Sequence, residues 1–389
     1  MIRLALKMLF GDTLKYAMLV FGLFFATFLM TQQSGVFCGL MRWTTATLKN
    51  VPAPIWVVET KVEQVNETNP MRDTDVARVR SVDSVEWASP IFSGLQRVRM
   101  ANGAYKSVQL VGIDPTLLAG APTQMLDGRL QDLRIPNTII IDDHGVDFLA
   151  TDPKKPIKVG DIFEINDLEA RVVGIAGARR SFSGGPYVWT TYERALQYTP
   201  SARKMLSAVI AAPKPGITPE KAAADIERET GLRAFVNRDF ATDKSGKDEF
   251  NTSTIWWYIE NTGIPVSFGI TVMVGLVVGV AIACQTFYSF VAEHMKHLGA
   301  LKAMGASNGV LCVMLMVQSF TVGVIGYGVG MLVTGIFGFV AITKQQPPFY
   351  LPWVVLPGVF GVIVGICMLA ALMGIWRVAR YEPAMVFRG

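Results

Sequence analysis

Tyr288 to Ser307 reads YSFVAEHMKHLGALKAMGAS, a short, polar, helix-prone stretch with long apolar segments on both sides. Val291, Met295, Leu298 and Leu301 recur at spacings of three and four, which puts them on one helical face. Glu293, Lys296, His297 and Lys302 fall elsewhere around the helix, with Glu293 and His297 one turn apart. Gly305 follows the last periodic residues and fits a left-handed helix cap. An amphipathic helix tied to two membrane spans lies at the membrane surface, where a partner in the water can push it.

Working outward, the flanks set the architecture. Ile264 to Tyr288, Val310 to Ile342 and Trp353 to Ile375 are apolar runs long enough to span a bilayer, and so is the uncharged run Tyr16 to Val36 near the N-terminus. The Tyr16 run is longer than a typical signal-peptide core and no A-x-A cleavage site follows it, so it reads as a span first and a cleavable signal second. The Val310 run, about 33 residues or roughly 50 Å as a helix, exceeds the ~30 Å hydrocarbon core and implies tilt or an extension beyond it. Trp256, Trp257 and Tyr258 before the second span, and Tyr350 and Trp353 at the fourth, fit the interfacial aromatic belt.

Half of the 389 residues are hydrophobic and only 17% are charged, and most of the charge sits between Lys49 and Glu260. The fold expected is a membrane protein of four transmembrane α-helices, one before and three after a large α+β extracytoplasmic domain. In detail, residues 1–15 read as an interfacial helix and 16–40 as the first span. Residues 41–260 form the outer domain and 261–289 the second span. Residues 290–307 are the surface helix and 308–342 the third span. Residues 343–352 make a turn, 353–376 the fourth span and 377–389 the tail. Lys and Arg gather near span ends in the N-terminal segment, the surface helix and the tail. The positive-inside rule therefore puts both termini and the surface helix in the cytoplasm, and the large domain and the turn outside.

Within the polar block, Ile55 to Glu59, Val108 to Ile113, Thr138 to Ile141, Ile157 to Ile165, Ala170 to Ile175 and Leu206 to Ala211 read as strands. Thr74 to Val79, Tyr192 to Tyr198 and Thr218 to Thr230 read as helices, the last started by Thr218 and Pro219 and stopped by Gly231. No strict βαβ rhythm is present, which favours α+β over a doubly wound sheet. Gly177 to Pro186, GARRSFSGGP, reads first as a solvated hairpin tip; the second reading makes Arg179 and Arg180 contacts to a partner.

Several function classes are excluded or weakened. The net charge of +5 comes without a dense Lys/Arg stripe, so nucleic acid is not the partner; the charge anchors the spans to the lipid bilayer. Cys38, Cys284, Cys312 and Cys367 lie in or beside the apolar runs, leaving the polar block without disulfides. No Cys/His cluster marks a metal site. The spans hold no acidic or basic residue at mid-membrane, as ion-driven carriers need. Gln285 and Gln318 read as interhelical hydrogen-bonding groups. There is no G-x-x-x-x-G-K-[ST], no H-E-x-x-H and no G-x-S-x-G. His294 and His297 read as solvated surface residues ahead of a two-histidine metal site. Gly275 with Gly279, Gly326 with Gly330, and Gly361 with Gly365 stand four apart in the last three spans. This spacing suits close helix packing, here expected among those three spans.

The run Glu293 to Ser307 resembles the E-R-x-R-E-I-G-x-L-K-A-L-G-A-S signature of MacB-like or FtsX-like (type VII) ABC transporter permeases. Glu293, Leu298, Gly299, Leu301, Lys302, Ala303, Gly305, Ala306 and Ser307 match it, while His294, Lys296 and His297 depart. Gln318-Ser319 stands where many members have Glu-Ser, and Tyr381 to Arg388 resembles the family's terminal D-P-x-x-x-L-R. Val111-Gly112-Ile113 before Asp114-Pro115, and Val159-Gly160-Asp161 leading to Val172 to Ile175, resemble its outer domain. Length, the N-terminal segment and the Thr138 to Asp143 strand look most like the DevC branch.

The resemblance implies a non-enzymatic, homodimeric permease in the bacterial inner membrane. The elbow helix would dock on a separate ABC ATPase, which carries the ATP and Mg, leaving no cofactor in this chain. Docking would involve Glu293, His294, Lys296, His297, Leu298, Gly299, Leu301, Lys302, Gly305, Ala306 and Ser307. It also implies mechanical transmission to a periplasmic adaptor (membrane fusion) protein and an outer-membrane channel. The cargo would be lipidic, amphipathic or peptide-like. The rivals on the same plan are an FtsX-like transmitter acting on a cell-wall hydrolase and a lipoprotein-extracting permease.

Overall fold

The structure, a computed structural model, describes residues 8, 13–100, 102–152, 154–200, 205–237, 250–344 and 346–379. Most of the expected interfacial helix over residues 1–15, and most of the tail, including Tyr381 to Arg388, lie outside these; residues 13–15 belong to the first long helix. The chain divides into two units, one of residues 1–40 with 263–389 and one of residues 41–262.

In chain order, the first long helix α1 (Thr13–Thr44) leads to α2 (Ala46–Asn50), β1 (Ile55–Val58), α3 (Asp75–Arg80), β2 (Val85–Arg99) and β3 (Tyr105–Ile113). There follow β4 (Met125–Gly128), β5 (Thr138–Asp142), α4 (Asp143–Phe148), β6 (Ile162–Ile165), β7 (Leu168–Ala176), β8 (Tyr187–Thr191) and α5 (Tyr192–Tyr198). The domain closes with β9 (Ala208–Pro213), α6 (Pro219–Thr230), β10 (Arg233–Val236) and α7 (Phe250–Asn261). The last helices are α8 (Ile264–Glu293), α9 (Met295–Ala303), α10 (Asn308–Lys344) and α11 (Val355–Ala379).

The unit of residues 41–262 is α+β. Its ten-stranded sheet runs β10-β1-β9-β2-β3-β8-β5-β7-β4, with β6 pairing β2 and β7. Among the described strands only β3 with β8 and β5 with β7 run parallel. Long β2 was not expected, because Pro90 and Gly94 interrupt its pattern. Ile91 gives its carbonyl to Ser207 N–H on the β9 side, so the nitrogen of Pro90 faces the other way. On that side pairing to β3 begins only at Ile91, and the missing N–H disturbs no ladder. β4, β8 and β10 were also unexpected, and the Ile157 to Ile165 strand shrinks to β6 because Gly160, at φ +103°, turns the chain. Helix α6 has the expected ends: Thr218 Oγ1 accepts Lys221 N–H, and Gly231 caps it at φ 69°.

Among the described residues four helices are long and apolar enough to cross a membrane, Tyr16–Thr44, Ile264–Glu293, Asn308–Lys344 and Val355–Trp376. α1 starts ahead of the expected first span and outlasts it. α8 absorbs residues 290–293 of the expected surface helix, and α10 reaches 37 residues.

The glycine pairs pack differently from expectation. A methyl group at Gly275 would lie 3.2 Å from Leu29 Cβ, and one at Gly279 2.5 Å from Ala26 Cβ. One at Gly326 would lie 2.7 Å from Leu23 Cβ, and one at Gly330 2.6 Å from Thr27 Cβ. Both pairs therefore face α1 most closely, and Gly279 also has Ile366 Cδ1 of α11 at 3.7 Å. Gly361 and Gly365 are exposed and meet nothing within 4 Å, so among the described residues they pack against no helix. Thr31 and Thr334 share a buried 2.6 Å hydrogen bond between α1 and α10, and Ser319 Oγ donates to Cys367 O at 2.6 Å between α10 and α11. The turn after α10 is pinned too: Phe349 fills the space that side chains would need at Gly35 and Gly338, and Tyr350 N–H donates to Gly35 O.

Candidate functional site

The elbow between α8 and α10 is built from a helix that almost continues. α8 ends at Glu293, yet His294 N–H still reaches Phe290 O (3.2 Å) and Leu298 N–H reaches His294 O (3.0 Å). The ring of His294 lies 4.3 Å from that of Phe290, and its Nδ1 is 2.9 Å from Phe290 O. His294 is thus half-buried at a bend, not solvated as expected, while His297 is exposed. Their rings are 5.9 Å apart, and no cluster of metal-ligating side chains occurs among the described residues.

The elbow has two faces. Val291, Met295 and Leu298 are buried in one cluster with Phe287, Leu311 and Met314, and Leu301 and Ala306 pack against it. Gly299 is buried as well. The apolar positions expected from spacing thus hold the elbow to the bundle, which leaves Leu298 and Gly299 without a surface to offer. Glu293, His297, Ala300 and Met304 follow one another by four, three and four and are all exposed. Met304 is 76% exposed, a large apolar side chain set in a polar face.

Local chemistry ends the elbow sharply. Gly305 takes φ +95°; its N–H bonds Lys302 O at 3.1 Å, and Ala306 N–H bonds Leu301 O at 3.0 Å. This is a Schellman ending, with the Leu301 and Ala306 side chains both facing the bundle core. Ser307 starts α10, its carbonyl accepting from Val310 and Leu311 N–H. Lys302 is half-buried, and the side chain of Lys296 lies outside the described residues. Met304 was missed because it sits off the 291–295–298 face; that offset in a solvent-facing position is itself the available signal.

Arg179 and Arg180 lie in the other unit, on a loop that is tied down rather than a solvated tip. Asn50 Oδ1 accepts Arg179 N–H at 2.8 Å, and Asn50 Nδ2 donates to Arg179 O at 2.6 Å. Asp143 accepts Ala178 N–H at 3.4 Å, and Asp142 accepts Tyr187 N–H at 2.8 Å and Gly145 N–H at 2.6 Å. Phe182 packs edge-on to Tyr258 of α7 at 4.8 Å. Burial pushes the Asp142 carboxyl up to about 7, against the pull of its two backbone donors and of Arg180. Burial likewise pushes the Tyr187 hydroxyl, bonded to Thr47, up to about 12.

Comparisons with known proteins agree on both units. The family description "MacB-like periplasmic core domain" matches residues 17–229, and "FtsX-like permease C-terminal" matches residues 269–383. No curated protein matches. Among solved structures, the extracellular domain of the noncanonic ABC-type transporter YknZ from Gram-positive bacteria is 14% identical, covering 48% of this chain and 99% of its own, at TM-score 0.34. The periplasmic region of MacB from Actinobacillus actinomycetemcomitans is 12% identical, covering 55% and 96%, at TM-score 0.38. A domain of a putative permease from Porphyromonas gingivalis is 14% identical, covering 51% and 97%, at TM-score 0.33. With one family description spanning more than half of the residues and the other taking in the elbow and most of the last three apolar helices, the chain belongs to the MacB/FtsX-like permeases of type VII ABC transporters.

Proposed function

We propose that this chain is the membrane subunit of an ABC exporter and that a separate ATPase grips the exposed face of α9. The two-sided elbow carries the reading. One face is fixed in the bundle core, so the helix cannot slide independently of α8 and α10. The other presents Glu293, His297 and Met304 to a partner. In this reading both termini and the elbow are cytoplasmic, and the outer domain is periplasmic. ATP and Mg stay on the ATPase, and closure of its dimer moves the elbow of each copy in a homodimer of this chain. The packed helices pass the motion outward to an adaptor and an outer-membrane channel, and the cargo is lipidic, amphipathic or peptide-like.

The test is co-purification of this chain from cells, which should recover a P-loop ATPase. Met304→Asp and Gly305→Arg should abolish association while leaving the chain folded in detergent. Leu298→Asp is unsuitable, because Leu298 is core. Normal association and normal stimulation of ATP hydrolysis in Met304→Asp would refute the docking assignment.

A further inference from the structure

Helix α8 carries a polar side chain on a face that a bilayer would leave without a partner. Ile270, Val274, Val277, Ala281 and Gln285 follow one another by four, three, four and four, a narrow stripe along one side of the helix, and all five are exposed. Gly275 and Gly279, which face α1, lie on the opposite side, so the stripe is turned away from α1. Ile270, Val274 and Val277, each more than half exposed, suit contact with lipid. Gln285 does not. No charged residue stands between Ile264 and Ala292, and Glu293 follows Gln285 by eight positions, roughly 12 Å along a helix. The amide is therefore held within the apolar length of α8. Among the described residues nothing bonds it, whereas Gln318, the glutamine of α10, is buried in the bundle. Hydrocarbon offers no hydrogen bond, so an amide left facing it is costly.

We infer that the Ile270–Gln285 stripe of α8 packs against the same stripe of a second copy of this chain, with the two Gln285 amides bonding each other. A primary amide carries both donor N–H groups and an acceptor oxygen, so it is complementary to itself. A two-fold axis along the membrane normal brings the identical residue to the identical depth, which lipid cannot do. Ala281, one turn before Gln285, is small enough to let the two backbones approach at that level. One polar pair in an otherwise apolar seam also fixes the register of the two helices. Gly361 and Gly365 of α11 are exposed as well, but beside Val362 and Leu369 they offer only apolar surface, which lipid covers without loss. The inference supplies the surface for the homodimer named in the export reading, and rests on that reading only for the statement that the dimer serves an ATPase.

The test places Ala281→Cys or Gly365→Cys in the full chain, its native cysteines replaced by alanine, and oxidises native membranes with copper phenanthroline. Ala281→Cys should give a disulfide-linked band at twice the chain mass, and Gly365→Cys little of it. Dimer affinity in lipid bilayers is read by energy transfer between labelled copies on dilution with lipid. It should weaken about tenfold in Gln285→Leu and less in Gln285→Asn, which keeps a shorter amide. Because Gln285 is exposed, the thermal midpoint of the single chain in detergent should fall in neither variant. A stronger band from Gly365→Cys moves the dimer to α11 and overturns the inference. A linked band of another mass gives the stripe to a different protein and overturns it too. Unchanged affinity in Gln285→Leu overturns the amide pair. An ATPase recovered with a chain that never links at Ala281 overturns the interface and spares the export reading. Linking at Ala281 in a chain that recovers no ATPase supports the interface and overturns the export reading.

Discussion

Ala306 N–H closes on Leu301 O at 3.0 Å across Gly305, which stands at φ +95°. This single bond sets where the elbow stops and α10 begins, and with it the direction in which exposed Met304 points. A side chain with a Cβ in this left-handed region costs about 1–2 kcal/mol, less for Asn than for others. Elbow order, read by hydrogen exchange of the Gly305 and Ala306 amides, should fall in the sequence Gly, Asn, Ala, Val at position 305. ATPase affinity should follow the same sequence. Equal exchange in Gly305→Val would show that the turn does not depend on glycine.

The helix pairs α1–α8 and α1–α10 approach through glycine, and the two ends of that idea can be separated. Gly330→Leu forces atoms into Thr27 and should cost about 1–3 kcal/mol as overpacking, lowering the thermal midpoint of the detergent-solubilised chain. Gly365→Leu meets nothing within 4 Å and should leave the midpoint of the single chain in place. A matched loss in both would mean that Gly365 is covered in solution.

The sequence made the four spans legible because length and apolarity suffice for a membrane helix, and the elbow legible because Val291, Met295 and Leu298 keep helical phase. It did not reveal what each glycine pair faces, since spacing on one helix says nothing of the partner: Gly326 and Gly330 meet Leu23 and Thr27 of α1. In the α+β unit the hydrophobic pattern located β1, β3, β5, β7 and β9. It lost β2, where Pro90 pairs with Val209 of β9 but turns its nitrogen to the side that β3 has not yet joined, and β8, which directly follows the Gly184-Gly185-Pro186 turn and runs into α5. The anchoring of Arg179 depends on Asn50, 129 residues away, a contact that no local signal announces.

Thr31 and Thr334 tie α1 to α10 through a buried hydroxyl pair. Thr334→Val keeps the shape and removes the bond, so a loss of roughly 0.5–1 kcal/mol is expected. The double variant Thr31→Val/Thr334→Val should cost less than the sum of the singles, because neither hydroxyl is then left facing an apolar partner. Additive losses in that cycle would mean the two hydroxyls are not coupled.

Asn50 holds the Arg179 main chain with both ends of its amide. Asn50→Ala leaves a half-buried N–H and C=O without this partner, at about 1–3 kcal/mol. Asn50→Asp keeps the acceptor for Arg179 N–H but loses the donor to its carbonyl. Protease nicking within residues 177–186 should rise in Asn50→Ala and less in Asn50→Asp. A loop equally resistant in both would show that Asp142, Asp143 and Phe182 suffice to hold it.

Asp142 gives the α+β unit a dependence on pH near neutrality. Its carboxyl is 1% exposed and pushed up to about 7, above the ordinary value of about 3.9 that it has in the unfolded chain. Between those two values the folded form holds a proton that the unfolded form has released, so stability falls as pH rises from about 4 to about 7 and is level above. The effect is on the order of a few kcal/mol. The groups that face it are Asp143, which favours the proton, and Arg180 with the Tyr187 and Gly145 N–H groups, which oppose it. Asp142→Asn removes the titration and should flatten the profile of the unfolding midpoint between pH 5 and 8. It also places an amide where Tyr187 N–H needs an acceptor, so the variant should be less stable than the parent at pH 5 and closest to it at pH 8. A parent midpoint whose pH dependence over that interval is unchanged by Asp142→Asn would mean that Asp142 ionises in the folded state as an ordinary carboxylate does.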